Sequence, residues 1–182
     1  MEPTRSERFE CLFRENYVDV RAYALRRAAP DVAQDVVAET FLVAWRRLDD
    51  VPGDALPWLY AVARRTLANQ RRSAARSAAL EQRLAGAVSA AGSGDPSERV
   101  AAGELLRVAL ARLSERDREA LILVAWHGLS GARAARAAGC TRAAFEVRLH
   151  RARARLAREL RSLDAEVESP AAAIDADVLE VS

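Results

Sequence analysis

The 182-residue chain contains no lysine, so all 28 of its basic residues are arginine. Isoleucine occurs only at Ile122 and Ile174. The two cysteines, Cys11 and Cys140, are too few and too unpatterned for a disulfide framework. The only histidines, His127 and His150, share no metal-ligand spacing with them. No glycine-rich phosphate loop is present, and nothing in this set supports catalysis, a cofactor or a small-molecule substrate. No apolar run approaches the length of a membrane span, and the N-terminus shows no signal-peptide core. The expectation is a soluble cytoplasmic protein without membrane insertion.

What remains is helix-forming. Hydrophobic residues make up 51% of the chain, enough to bury a core. Many of them are alanine, and Ala, Leu, Arg and Glu are strong helix formers. With β-branched residues scarce, the expected fold is all-α: two small helical domains joined by a flexible linker, the C-terminal one a helix-turn-helix. Exclusive use of arginine fits the codon usage of a GC-rich genome. It also has a physical consequence, because the planar guanidinium fork grips phosphates and stacks on bases.

The net charge is only +2, but it is unevenly spread. From Arg133 to Arg161 nine Arg face two Glu, a net +7, whereas the stretch from Asp164 onward holds six acidic residues and no basic one, a net −6. A basic block beside an acidic arm suits a nucleic-acid surface with a solubilising or regulatory tail.

Phe9, Leu12, Phe13, Tyr17, Val20 and Tyr23 to Ala24 recur at helical spacing, so a first helix with one apolar face is expected from about Glu7. Pro30 and Asp31 interrupt it. A second helix follows, with Val37, Phe41, Ala44, Trp45 and Leu48 as its buried stripe. Asp49 to Asp54 reads as a loop, and Pro57 suits the first turn of a third helix striped by Trp58, Leu59, Val62, Ala63 and Leu67. Gly86 to Gly94 reads as the linker, after which Asp95-Pro96-Ser97-Glu98 restarts a helix. Ser114 and Asp117 mark the start of the next, with Leu121, Ile122, Val124, Ala125 and Trp126 on its apolar side and Gly128 stopping it. The expected division is 1–85, 86–96 (linker), 97–163 and 164–182, the last an acidic, disordered tail.

The strongest local feature lies between Leu129 and Leu160. A short Ala-rich helix, Gly131 to Ala138, ends at Gly139-Cys140, and Thr141 caps a longer Arg-rich helix. That is helix-turn-helix geometry, in which the N-terminal residues of the second helix reach base edges in the major groove. Arg142, Glu146 and Arg148 lie near that end, and Arg151, Arg153 and Arg155 are placed to meet phosphates. The bland alternative is a solvated basic helix closing an α-hairpin.

A second feature is Asp35 with Glu39, one turn apart on a single helix face, which read alone is a solvated charged surface. A third is Trp58 and Tyr60 just ahead of Arg64, Arg65, Asn69, Arg71 and Arg72. Aromatics beside a run of Arg suit single-stranded nucleic acid, although Trp58 taken by itself reads as a core residue.

Four segments together resemble the extracytoplasmic-function sigma factors, a branch of the sigma-70 family of RNA polymerase initiation factors. Ala33 to Arg46 (AQDVVAETFLVAWR) resembles their core-binding helix, and Pro57 to Arg65 (PWLYAVARR) the start of their promoter-melting helix. Leu113 to Leu121 (LSERDREAL) and Arg148 to Arg153 (RLHRAR) resemble their C-terminal domain. The likeness runs from about Phe9 to Leu160, with the motifs in order.

The resemblance implies that Asp35, Glu39 and Arg46 contact core RNA polymerase. It assigns the loop from Asp49 to Ala55 and the helix from Pro57 to Arg72 to the opened −10 element, with Trp58, Tyr60, Arg64, Arg65, Asn69, Arg71 and Arg72 as DNA-binding residues. It assigns Thr141, Arg142, Phe145, Glu146, Arg148, Arg151 and Arg153 to the −35 element. Promoter DNA and core polymerase are the implied partners. An anti-sigma factor is a further candidate, because such proteins are often held inactive by one.

The sequence also departs from the family pattern. Gly131 replaces a usual aromatic, Ala134, Ala137 and Ala138 replace larger aliphatics, and Cys140 stands where Ile or Val is typical. Ala144-Phe145 replace Thr-Val, and Glu146 takes a position that is often basic. A stand-alone helix-turn-helix regulator would share the C-terminal half, but has no reason to carry the Asp35/Glu39 helix and the aromatic–Arg helix together. An interaction adaptor, its Arg helix binding an acidic partner, is the remaining alternative.

Overall fold

The computed structural model describes residues 3–84 and 100–168, and every regular element among them is helical. The helices are α1 (Arg5–Leu25), α2 (Pro30–Arg46), α3 (Ala55–Leu84), α4 (Val100–Arg112), α5 (Glu115–Ala125), α6 (Gly131–Ala138) and α7 (Arg142–Glu168), with a 3₁₀ turn at Leu48–Asp50. The expected linker and the Asp95–Glu98 helix start lie outside the described residues, as does the acidic stretch beyond 168. The first five residues of the expected tail, Asp164 to Glu168, are the last turn of α7.

The helix boundaries have local causes. Thr4 and Glu7 form a reciprocal capping box at the start of α1. Pro30 opens α2 as its first residue, where the missing N–H costs nothing. The Asp117 amide donates to Ser114 Oγ at 3.2 Å, capping α5. Gly139 ends α6 at φ +66°, in the left-handed region that favours glycine.

The chain forms two compact units that interleave in sequence. The first contains α1, α2 and α3 together with Leu123 to Phe145, the end of α5 through the first turn of α7. Its interior holds Val20, Tyr23 and Ala24 of α1, Val36, Thr40 and Ala44 of α2, Leu59, Tyr60 and Ala63 of α3, and Ala134 of α6. Two buried polar side chains bond back to their own helices: Thr40 Oγ1 donates to the Val36 carbonyl at 2.7 Å, and Asn16 Nδ2 to that of Leu12 at 2.8 Å.

The second unit contains α4, α5 up to Ile122 and α7 from Glu146. Leu113, Leu121 and Ala152 form its buried centre, with Leu110, Leu149 and Leu156 packed around them. The Arg118 guanidinium donates to the carbonyls of Leu110, Ala111 and Leu113, closing the end of α4 where helix carbonyls lack partners. Asp117, almost fully buried, is ion-paired with Arg155 of α7.

Two tryptophans of the expected stripes are not buried. Trp45 is 38% exposed and Trp126 is 41% exposed, although both continue an apolar spacing. Each ring has an arginine over it: Arg5 lies 5.3 Å from the Trp45 ring centre, which also meets Phe9 edge-on at 5.2 Å, and Arg26 lies 5.5 Å from that of Trp126. Ala125 is exposed as well, and Leu123, absent from the expected stripe, is fully buried.

Candidate polymerase and nucleic-acid interfaces

On α2, Asp35, Glu39 and Arg46 are all exposed. Asp35 and Glu39 border a groove of about 900 Å³ whose opposite wall is α3, with Arg65, Asn69 and Gln70. The groove thus sets an acidic edge against a basic and amide edge, so one surface carries residues of both expected interfaces.

The loop ahead of α3 is held from α1. Arg5 and Arg8 pair with Asp49 at 3.2 and 2.9 Å, and Arg5 also donates to the Trp45 carbonyl at 2.7 Å. Arg47 pairs with Asp50 at 2.9 Å. All of these pairs are solvent-exposed, so they orient the loop more than they stabilise the fold.

Along α3 the expected DNA-binding residues divide. Arg65, Asn69, Arg71 and Arg72 are exposed. Arg72 donates to Asn69 Oδ1, and Arg71 to the Arg27 carbonyl at 2.9 Å. Trp58 and Arg64 are half-buried. Tyr60 is fully buried, so in this arrangement its ring is unavailable to a base. It stacks on Tyr23 with ring centres 4.6 Å apart, and its hydroxyl lies 2.9 Å from His127 Nδ1. Burial, with Asp19 adding a smaller effect, pushes the Tyr60 phenol well above its usual range.

His127 shows the mirror effect. Its pKa is lowered to about 4, chiefly by burial and then by the charge of Arg26, with Arg27 acting the same way and Asp19 opposing. Its buried Nε2 has no protein hydrogen-bond partner. Sequence reasoning placed His127 only as an isolated histidine, because its partner lies 67 residues away.

α6 completes this unit by packing on α3. Ala134, Ala135, Ala137 and Ala138 are all buried, covering about 160° of the helix at 100° per residue. The small residues that depart from the family pattern are thus the ones that let α6 approach its neighbours closely. Asp54, immediately before α3, accepts two hydrogen bonds from Arg133, at 3.1 and 2.8 Å, and a third from Arg136. A Cβ placed on Gly139 would lie 2.6 Å from Arg64 Nη2.

α7 begins as expected: Thr141 Oγ1 accepts from the Ala144 amide at 3.3 Å, and its carbonyl from the Phe145 amide at 2.9 Å. Arg142, Glu146, Arg151 and Arg153 are exposed and Arg148 is half-buried. Phe145 is fully buried, so it supports the helix rather than touching a base. Arg155 is committed to Asp117 rather than being a simple phosphate ligand. Among the described residues, no cluster of three or more His, Cys, Asp or Glu could hold a metal, and no helix is long and apolar enough to cross a membrane.

Residues 12–77 match the family model for sigma-70 region 2, and residues 103–156 match that for sigma-70 region 4. The RNA polymerase sigma factor NccH of Alcaligenes xylosoxydans xylosoxydans is 34% identical over 139 residues, 70% of this chain and 73% of that protein. The chain belongs to the sigma-70 family, in its extracytoplasmic-function branch. This sigma factor is also 36% identical over 137 residues to the RNA polymerase sigma factor CnrH of Cupriavidus metallidurans, covering 67% of this chain and 70% of that one.

Among solved structures, the sigma factor is similar to RpoE of Bartonella quintana in complex with the anti-sigma factor NepR. The TM-score is 0.64 at 26% identity, with 84% of this chain and 96% of that one covered. CnrH in complex with the cytosolic domain of CnrY matches with a TM-score of 0.57 at 28% identity, covering 85% and 88%. The protein is therefore an alternative sigma factor that directs RNA polymerase to promoters. A stand-alone helix-turn-helix regulator is set aside, because it leaves the region 2 match over residues 12–77 without a purpose.

Proposed function

We propose that this sigma factor divides its work among three surfaces. Asp35, Glu39 and Arg46 of α2 dock on core RNA polymerase. The Asp49–Ala55 loop and Trp58, Arg64, Arg65, Asn69, Arg71 and Arg72 hold the opened −10 strand. Thr141, Arg142, Glu146, Arg148, Arg151 and Arg153 of α7 meet the −35 duplex, with Phe145 fixing the helix from inside. Tyr60 joins the −10 surface only when His127 has left it.

The observation that carries this reading is the exposure of Asp35 and Glu39 on one face of α2 while the arginine run of α3 borders the same groove. Charge steers such encounters, and guanidinium groups beside aromatic rings take up a single strand. The proposed division is 1–85 for polymerase and −10 contacts, 86–96 as linker, 97–163 for −35 recognition and 164–182 as an acidic extension. The protein acts in the cytoplasm, by binding and without a catalytic step of its own.

The solved neighbours support one further partner, an anti-sigma factor. A groove of about 510 Å³ between α1 and α2, lined by Phe13, Tyr17, Leu25, Val37 and Phe41, offers it apolar surface.

The test is complex formation with core polymerase, repeated with Asp35→Arg/Glu39→Arg. Stable binding lost on charge reversal supports the docking face on α2. Binding that survives removes that assignment and leaves the function standing.

A further inference from the structure

What α7 buries fixes which of its sides faces outward. Phe145 and Ala152 are fully buried, and Leu149 and Leu156 are partly buried. At about 100° per residue these four fall within about 60° of one another around the helix axis. On the same count Val147 lies about 200° from Phe145, at the middle of the outward side. It is 51% exposed. Ala143 precedes it by one turn and Arg151 follows it by one turn, and both are exposed. The outward side of the first two turns of α7 is therefore short and apolar at Ala143, Ala144 and Val147, with Arg142 and Glu146 along one edge.

Val147 is a poor choice for a merely solvated helix surface. A β-branched side chain loses rotamer freedom in a helix, whereas Ala and Arg, which fill most other exposed positions of α7, favour one. Its methyl groups can neither donate to a phosphate nor pair with the polar edge of a base. The apolar feature that B-DNA presents in the major groove is the C5 methyl group of thymine.

We propose that Val147 is a specificity-determining residue of this sigma factor, packing against the methyl group of one thymine in the −35 element. The inference rests on the assignment of α7 to that element and adds the base feature that the middle of the helix reads. Arg142 and Arg151, a turn or so to either side, hold the helix in the groove, and such anchoring contacts position without selecting when they go to phosphates. The short side chains at 143 and 144 let the backbone come near the bases, so that a side chain no longer than valine reaches a methyl group. The resulting preference for thymine is one that no hydrogen bond supplies.

The experiment uses the full chain bound to core RNA polymerase. Holoenzyme selects duplexes from a pool randomised over the −35 and −10 segments, once with the wild type and once with Val147→Ala, which keeps a strong helix former on the exposed face. The wild type should retain thymine at one −35 position. The variant should lose that preference and keep the others in both elements. Deoxyuridine then replaces that thymine in the selected duplex, removing the methyl group while leaving the hydrogen bonds of the base pair in place. Wild-type affinity should fall about fourfold, and that of Val147→Ala by less than about twofold.

A wild-type affinity indifferent to deoxyuridine at every −35 thymine overturns the proposal, as does a selected −35 element with no preferred thymine. An equal loss in both proteins overturns it too, because the methyl group is then read by another residue. Arg142→Ala/Arg151→Ala checks the assignment of α7 separately. If −35 selection and affinity are unchanged in that variant, the assignment of the helix itself fails. If they weaken there while deoxyuridine has no effect on the wild type, the helix keeps its place and the role of Val147 alone is refuted.

Discussion

Lowering the pH from about 7 to about 5 should loosen the first unit through a single residue. His127 faces Tyr60 of α3 and Asp19, Arg26 and Arg27 of α1, and its pKa is depressed from the ordinary 6.5 to about 4. Between those two values the unfolded chain takes up a proton that the folded chain refuses. Stability is therefore complete above about pH 6.5, falls as the pH drops toward 4, and loses nothing further from this group below that. The gap corresponds to at most about 3 kcal/mol, and half-burial of the ring reduces it through solvent screening to about 1–2 kcal/mol.

The cost does not come from breaking the hydrogen bond to Tyr60, whose oxygen can also accept. It comes from burying a cation beside Arg26 and from leaving an N–H at Nε2 with no protein acceptor. The assay is thermal melting by circular dichroism at pH 7.5, 6.5, 5.5 and 5, on the wild type and on His127→Gln. The wild type should lose on the order of 5 °C more than the variant across that range. Parallel curves would refute the argument, and the same scans on His150→Gln control for the loss of a histidine as such.

Three further outcomes are expected. Phe145→Ala empties a fully buried ring site and should cost about 3–5 kcal/mol, read as a lower denaturant midpoint, whereas Phe145→Leu should recover most of it. Asp117→Ala leaves the cap of α5 without its partner for Arg155 and should cost about 1–3 kcal/mol; a change within error would mean the pair is ornamental. Arg151→Ala should weaken −35 binding by holoenzyme and make its salt dependence shallower by about 0.9 in log–log slope. An unchanged slope would take Arg151 off the phosphate path.

Much of the fold was legible because the chain punctuates itself. Gly131 to Ala138 was bounded by Ser130, Gly139 and Thr141, and the observed helix has the same limits. Pro30 and Ser114 marked α2 and α5 for equally local reasons. Apolar spacing, in contrast, shows which residues share a face but not how completely each one is covered. Trp45 and Trp126 continued their stripes and emerged half in solvent under an arginine.

Tyr60 and Phe145 erred in the opposite direction. Tyr60 was read as a stacking platform beside arginines and Phe145 was assigned to the −35 element by resemblance, yet each fills an interior. The pairing of Asp54 with Arg133 spans 79 residues, and no local pattern signals it. Only the unusual alanines of α6 hinted that a second neighbour had to come close.

The interleaving of the two units also sets an order of events during synthesis. Tyr60 meets His127 across 67 residues, and Asp54 meets Arg136 across 82. At about 5–20 residues per second, a ribosome that has released α3 needs several more seconds to deliver the segment that closes over it. During that interval Asp54 and Tyr60 stand without the partners that Arg133, Arg136 and His127 supply in the finished fold. The buried Tyr60 ring is thus among the last parts of the first unit to be enclosed as the chain is made.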